Sequence, residues 1–195
     1  MAAPPTPGAA GDVCPRCQQD PPLYASAHTT ASYEGAARAL LLLFKYGKVA
    51  SLGRFWAARM AAVAAGLQPA PQIVVALPLG RGRERERGFN QSSLMGGRLA
   101  GRLRWKAPRG ALARIRETAS QTGLNPAERE RNVAGAFRAT PRLVAGRHVL
   151  LVDDILTTGA TARAAAVALR QAGAARIDLL TAARAELRYH SSEAQ

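Results

Sequence analysis

The sequence predicts an α/β fold, in which a mainly parallel sheet has helices on both faces and a small helical segment lies ahead of it. Continuous apolar runs at residues 73–77 and 149–152 are typical of strands buried on both faces. A polar loop with glycine and then a helical pattern follow each run, which is the order of a repeated strand–loop–helix unit. With 195 residues, 48% of them apolar, the chain can form one domain with a full core.

The N-terminal residues differ in composition from the rest of the chain. Residues 1–13 are mostly Pro, Ala and Gly without periodicity, as in disordered segments. Cys14 and Cys17 form C-P-R-C, a spacing found in zinc and redox sites, but zinc needs four ligands and the sequence has no further cysteine. We therefore expect a disordered region at 1–31 with a remnant half-knuckle. Zinc is not expected within one chain, although a site shared between chains stays open.

Two helical patterns open the domain, which we place at residues 32–195. Apolar residues at 37, 40, 41 and 44 precede Gly47, and a second stripe runs from Ser51 to Gly66. These helices form a predicted hood at 32–66 ahead of a core at 67–184. Further expected elements are a helix ending near Arg104, strands at 112–115, 136–138 and 176–182, and a helix at 160–172. Asp178 has no sequence context that separates it from surface charges.

Positive charge is concentrated in one part of the chain. The formal net charge is +14, and residues 81–142 hold 15 Lys and Arg against 5 Glu, a difference of 10. Such clustering fits pyrophosphate, a nucleotide or single-stranded nucleic acid, although GC-rich coding also raises arginine content. Aromatic residues are only 5%, too few for a run of base-stacking platforms. No apolar run approaches the roughly 20 residues of a membrane span, and no signal peptide is apparent, so we expect a cytoplasmic protein.

The run at 149–152 continues as D-D-I-L-T-T-G-A-T at residues 153–161. Asp153 and Asp154 offer acceptors for two neighbouring hydroxyls or for Mg²⁺, bound directly or through water. The threonines offer hydroxyl donors, and Gly159 allows a tight turn that points backbone N–H groups at one oxyanion. Phosphate, diol and metal together describe a ribose 5-phosphate. The alternative is an ordinary strand–turn–helix with a solvated aspartate pair.

Two further segments have candidate roles. The strand at 73–77 leads into P-L-G-R-G-R-E-R-E-R-G-F-N-Q at residues 78–91, which is either an anion site at a strand's carboxyl end or a solvated charged turn. Residues 116–133 form a long polar connection, which we expect to be a mobile lid over the ligand. Within it, Arg129 and Arg131 belong either to an anion clamp or to an exposed helical turn with charge pairing.

These motifs together resemble the ComF family of predicted amidophosphoribosyltransferases, within the type I phosphoribosyltransferases. The resemblance rests on C-x-x-C, the Y-E-G-A-A-R-A-L-L-L-L-F-K-Y-G segment at 33–47, the arginine-rich loop at 77–91, the T-A-S-Q-T-G-L-N-P-A-E-R-E-R-N segment at 118–132 and the V-D-D-I-L-T-T-G loop. Family members typically carry two CxxC pairs in a zinc module, and here one pair is missing. The resemblance implies a type I phosphoribosyltransferase-like fold.

The resemblance also implies roles for individual residues. Catalysis would involve Arg114, Arg116, Asp153 and Asp154, and the two aspartates would also hold Mg²⁺. The ribose and 5-phosphate of PRPP would lie on Asp153, Asp154, Ile155, Leu156, Thr157, Thr158, Gly159, Ala160 and Thr161. Pyrophosphate would lie on Leu77, Pro78, Leu79, Arg83 and Arg87.

The implied activity is transfer of phosphoribosyl from PRPP to a base or amine, with release of pyrophosphate. The acceptor is not identified by any motif. The alternative hypothesis is a non-catalytic PRPP or nucleotide sensor, or a single-stranded DNA-handling protein in competence, since the family includes proteins associated with DNA uptake. A homodimer is compatible with either hypothesis.

Overall fold

The computed structural model describes residues 15–118 and 125–185. Its helices are α1 (Pro15–Gln19), α2 (Gly35–Lys45), α3 (Leu52–Ala64), α4 (Arg81–Arg87), α5 (Gln91–Leu103), α6 (Pro126–Val133), α7 (Pro141–Val144) and α8 (Ala160–Gln171). Its strands are β1 (Ser26–Thr29), β2 (Ile73–Ala76), β3 (Leu112–Arg114), β4 (Phe137–Ala139), β5 (His148–Leu156) and β6 (Arg176–Arg184).

Four of these strands form one parallel sheet, which confirms the predicted fold class. The strand order is β1-β6-β5-β2, and all three pairings are parallel. β3 and β4 pair with each other as a separate antiparallel sheet. Because parallel strands end at the same edge, the loops after β2 and β5 meet at one end of the sheet.

Helices cover both faces of the sheet, as predicted. One core cluster packs α8 and the β3–β4 pair against one face, through residues such as Leu151, Leu169 and Leu179. The other face carries α2, α3 and α5, with Trp56 and Met95 among its fully buried side chains. The predicted hood thus corresponds to α2 and α3, and it packs on the same face as α5.

The N-terminal region differs from the expectation of disorder. Residues 1–14 lie outside the described residues, but 15–31 include α1 and β1. β1 aligns Ser26 with Asp178 and forms the edge of the sheet beside β6. Burying the outer side of β6 is the physical reason for this extra strand, and the short S-A-H-T segment had no alternating apolar pattern that could have revealed it.

The expectation that Asp178 is a surface charge is wrong. Asp178 is 1% exposed, and its Oδ2 lies 2.8 Å from Nε2 of His148. Nη2 of Arg176 lies 3.2 Å from its Oδ1. A buried carboxylate is tolerated here because two basic groups on β5 and β6 contact it.

Within the described part of the chain, none of the helices has the length and hydropathy needed to cross a membrane.

Candidate functional site

The aspartate pair lies within a strand rather than after it. We expected the strand to end at residue 152, but β5 runs to Leu156. The ladder to β6 continues with Asp153 opposite Thr181 and Ile155 opposite Ala183. The carboxylates are therefore held by backbone pairing on a rigid element, which suits a binding site.

Asp153 is held by neutral donors. Its Oδ1 accepts a hydrogen bond from the Ser92 hydroxyl at 3.0 Å and from the backbone N–H of Asp154 at 2.8 Å. Although part of the residue meets solvent, burial of its carboxyl raises the pKa of Asp153 to about 7, and the charge of Asp154 raises it further in the same direction. The two adjacent carboxyl groups thus disfavour each other's charged form at this site.

Asp154 has a different partner. Nζ of Lys45, in the last turn of α2, lies 2.9 Å from Oδ2 of Asp154, and the two side chains are 15% and 14% exposed. The hood thus reaches the aspartate pair directly, a contact that the spacing of apolar residues in α2 did not reveal.

The loop after β5 has the features of an oxyanion site. Gly159 has φ +78° and lies immediately before α8, where helical N–H groups and the positive helix end face outward. Thr158 is buried and its Oγ1 accepts a hydrogen bond from the backbone N–H of Ala160 at 3.4 Å, whereas Thr157 is exposed. Asp153, Thr157 and Thr161 help to line a concavity of about 20 Å³ at this loop.

The loop after β2 lies beside the aspartate pair. The N–H of Leu77 donates to the carbonyl of Val152 at 2.9 Å, and Nδ2 of Asn90 donates to the carbonyl of Leu77 at 3.0 Å. Pro78 and Leu79 follow in the same loop. Leu77 is thus held next to Val152, the residue before Asp153, and a pyrophosphate-binding role for Leu77, Pro78 and Leu79 stays a prediction.

The alternating arginines and glutamates form a helix, α4, not the solvated turn that we considered. Gly80 precedes α4 and Gly88, with φ +81°, ends it. Nη2 of Arg83 and Nε of Arg87 are buried and have no hydrogen-bond partner among the described residues. Arg87 also donates to Oε1 of Gln91 at 3.3 Å, and its guanidinium lies 5.3 Å from the ring centroid of Tyr46.

A carboxylate contacts the start of α4. Oε1 of Glu117 accepts a hydrogen bond from the backbone N–H of Arg81 at 2.6 Å. A Cβ on Gly80 would lie 2.6 Å from Oε2 of Glu117, so a larger residue at position 80 would displace the Glu117 carboxylate. The Glu117 oxygens thus stand where phosphate oxygens could stand, on a backbone donor and beside arginines.

The two arginines predicted as catalytic lie in different places. Arg114 packs on Phe137 at 5.4 Å from the ring centroid and donates to Oγ1 of Thr118. Burial lowers the pKa of Arg114, and the nearby charge of Arg83 lowers it too, while Glu117 and Asp153 act in the opposite direction. Arg114 therefore shares one charged environment with Arg83, Arg116 and Asp153.

The guanidinium of Arg116 contacts the end of α6. Its Nη2 donates to the carbonyls of Asn132 and Ala134 at 3.1 and 2.6 Å, at the end of α6. A guanidinium on the last carbonyls of a helix is a stabilising cap. A catalytic role for Arg116 stays a prediction.

The predicted lid is partly helical. Asn125 and Glu128 form a capping box at the start of α6, so Arg129 and Arg131 lie on a helix, which was the alternative left open for E-R-E-R-N. Residues 119–124 lie outside the described residues. The mobility of the segment stays a prediction.

The donors of the site are carboxylate oxygens, the type of ligand that Mg²⁺ prefers. Oxygen donors from Asp153 and Asp154 fit Mg²⁺, but among the described residues no group of three or more His, Cys, Asp and Glu side chains could hold a metal ion by itself. Oxygens of a bound substrate would have to complete the shell. Cys14 lies outside the described residues, and Sγ of Cys17 lies 3.6 Å from Nη2 of Arg163, so the expectation about zinc stays a prediction.

Comparison with known proteins gives two kinds of relative. The DNA utilization protein YhgH of Escherichia coli strain K12 is 35% identical over 172 residues, which cover 85% of this chain and 75% of YhgH. Competence protein F of Haemophilus influenzae is 32% identical over 117 residues, 59% of this chain and 51% of that protein. Among solved structures, adenine phosphoribosyltransferase of Leishmania donovani is 12% identical, with 82% and 84% coverage and a TM-score of 0.48. Glutamine PRPP amidotransferase of B. subtilis is 22% identical, with 66% and 26% coverage and a TM-score of 0.45.

A family match decides the assignment. The phosphoribosyl transferase domain matches residues 90–194, which include α5, the aspartate pair and the oxyanion loop. The predicted resemblance is confirmed: the chain belongs to the phosphoribosyl transferase domain family and, through YhgH and competence protein F, to its ComF group.

Proposed function

We propose that this protein binds PRPP with Mg²⁺ and transfers its phosphoribosyl group to a base or amine, releasing pyrophosphate. One observation supports this most directly. The aspartate pair and the oxyanion loop lie at the carboxyl end of β5, and the arginine-bearing helix α4 follows the carboxyl end of the neighbouring strand β2. Ribose hydroxyls, 5-phosphate and pyrophosphate need these three kinds of group side by side.

Each part has its own task in this proposal. Asp153 and Asp154 accept hydrogen bonds from the ribose hydroxyls, and the loop around Gly159 holds the 5-phosphate on backbone N–H groups. Arg83 and Arg114 counter the charge that develops on the leaving pyrophosphate, which is the main electrostatic need of such a reaction. Asp153 and Asp154 would hold Mg²⁺, which would help to neutralise the negative charge of the leaving pyrophosphate. No side chain is required as a strong base.

The first prediction tests this assignment. Changing Asp153 and Asp154 together to Asn removes two charge-assisted hydrogen bonds, each worth about 1.5–3 kcal/mol, so Mg-PRPP affinity should fall on the order of a hundredfold or more. Calorimetric titration measures the affinity, and circular dichroism checks that the fold persists. The exposed Glu86→Gln substitution on α4 is the control for lost negative charge. If wild type binds no Mg-PRPP at millimolar concentration, the proposal is wrong.

A second candidate function is handling of single-stranded DNA, favoured by the names of the relatives and by the net charge of +14. The same double substitution separates the two functions. Removing negative charge should leave DNA affinity unchanged or slightly higher, with a steep salt dependence. A wild type that binds PRPP but releases no pyrophosphate with any purine, pyrimidine or amine would instead act as a sensor.

A further inference from the structure

We infer that Lys45, from the hood, is a positioning residue of the ribose-binding pair and acts through Asp154. The inference rests on the proposed function, since it assigns Asp154 to a ribose hydroxyl. It adds a residue from outside the strand-end loops to the site.

The contact is close and shielded from solvent. Nζ of Lys45 and Oδ2 of Asp154 are 2.9 Å apart, with both side chains about six-sevenths covered at 15% and 14% exposure. Screening by water and salt is weak for such a pair. The other carboxylate oxygen of Asp154 has no hydrogen-bond partner among the residues that the structure describes, so it is available to a ligand.

Lys45 is presented by a rigid part of the hood. Its neighbour Phe44 is fully buried and stacks on Phe89 with ring centroids 5.5 Å apart. Nε2 of Gln91 donates to the carbonyl of Phe44 at 3.5 Å, and the next residue, Ser92, holds Asp153. The end of α2 thus contacts Asp154 through Lys45, and the start of α5 contacts Asp153 through Ser92.

The two aspartates need different partners because they repel each other. Among the described residues, Asp153 accepts hydrogen bonds only from neutral groups. In the same part of the chain, Lys45 is the one cation within salt-bridge distance of the pair. The contact of Lys45 with Oδ2 fixes the rotamer of Asp154 and leaves the second carboxylate oxygen for a ligand. A preorganised acceptor of this kind improves ligand affinity because less ordering is required on binding.

Ribose 5-phosphate without Mg²⁺ is the probe, since it engages the aspartate pair and the oxyanion loop alone. We expect Lys45→Met to weaken its binding about tenfold, the effect of losing one charged contact. The affinity of Lys45→Arg for ribose 5-phosphate should stay within about threefold of wild type. Lys48 is an exposed lysine in the connection after α2, and the affinity of Lys48→Met should stay within about twofold. Inorganic pyrophosphate should bind Lys45→Met as it binds wild type, whereas a collapsed hood would weaken both ligands.

A double-mutant cycle shows whether Lys45 acts through Asp154. In an Asp154→Asn background, Lys45→Met should change ribose 5-phosphate affinity less than about twofold. An undiminished effect in that background, no effect in wild type, or tighter binding by Lys45→Met would each overturn the role of Lys45 alone. Absence of ribose 5-phosphate binding by wild type would overturn the proposed function together with this inference.

Discussion

The two ends of the parallel sheet hold their carboxylates in opposite ways. At the amino end, Asp178 on β6 contacts two basic residues, His148 at 2.8 Å and Arg176 at 3.2 Å. At the carboxyl end, Asp153 and Asp154 are adjacent; Lys45 forms a salt bridge with Asp154, and Asp153 accepts hydrogen bonds from neutral donors. One carboxylate with two basic partners contrasts with two carboxylates and one cation.

This difference separates structural charge from functional charge. The amino end is compensated internally, so its polar groups can be buried without a ligand. At the carboxyl end, burial and the charge of Asp154 raise the pKa of Asp153 to about 7, so the ionised form of Asp153 is disfavoured in the free protein. Such an arrangement costs stability in the free protein and is relieved by a cation or by hydroxyl donors, as at other functional sites.

The same substitution at both ends gives the sharpest test. Asp178→Asn should destabilise the protein by about 3 kcal/mol, the cost of breaking a buried ion pair, because the new amide would face Arg176 with a donor. Urea unfolding measures the change. An unchanged unfolding free energy would mean that Asp178 is not the structural counterpart of the aspartate pair.

Asp153→Asn should have the opposite sign. The asparagine oxygen can still accept from Ser92 and from the backbone of Asp154, while the repulsion between carboxylates is lost, so the unfolding free energy should rise by about 1–2 kcal/mol at pH 8. A raised folded-state pKa stabilises the fold at low pH and loses that contribution as pH rises to about 7. The advantage of the variant should therefore be smaller at pH 5.

Asp154→Asn is the matched control for that prediction. It also removes one carboxylate, but it leaves Lys45 without its partner, so we expect no gain in stability at either pH. Equal stabilisation by both variants would show that the two aspartates are interchangeable.

Much of this site follows from the sequence because strand ends are local features. The apolar run before Asp153, the threonines and Gly159 predicted a turn between a buried strand and a helix, and the structure has this turn, whereas its binding of an oxyanion stays a prediction. The glycines around the arginines predicted a loop, but this segment forms α4. The prediction failed because alternating Arg and Glu residues are also compatible with a solvent-exposed helix. Local pattern decides the type of element less well for charged segments than for apolar ones.

Contacts between distant segments were the part that could not be predicted. Lys45 and Asp154 are in contact although they lie 109 positions apart in the sequence. Ser92 and Asp153 are in contact although they lie 61 positions apart. Neither pair has a signal in spacing or composition. Asp178 was misjudged in part for the same reason: Arg176 lies two positions away on β6, but His148 becomes a neighbour of Asp178 only when β5 and β6 pair.

Glu117 allows a third test of how the carboxyl end is balanced. Its carboxylate lies on the backbone N–H of Arg81, so it should compete with a phosphate for that donor. Glu117→Gln should raise affinity for inorganic pyrophosphate about two- to fivefold, the range of an exposed charged contact. Glu86→Gln, which removes an exposed glutamate from α4 itself, should change it less. Weaker binding by Glu117→Gln would mean that Glu117 organises the loop instead of occupying it.

The smallest expected effect concerns pH at the amino end. Burial lowers the pKa of His28, with Asp178 opposing the shift and Arg176 adding to it. Nε2 of the neutral His28 ring lies 2.7 Å from the hydroxyl oxygen of Ser26. Since the folded-state pKa lies below the ordinary 6.5, protonation favours the unfolded chain. The contribution of His28 is therefore present above pH 6.5 and is lost as pH falls through the folded-state value.

This sign is opposite to that of Asp153, so the two ends can be distinguished by titration alone. Melting temperatures at pH 7.5 and 5.5 should show a smaller acid-induced fall in His28→Gln than in wild type, because glutamine does not titrate. Asp153→Asn should show a larger fall than wild type over the same interval, since it lacks a group that stabilises the fold at low pH. If His28→Gln falls as steeply as wild type, the acid sensitivity of the amino end arises from groups other than His28.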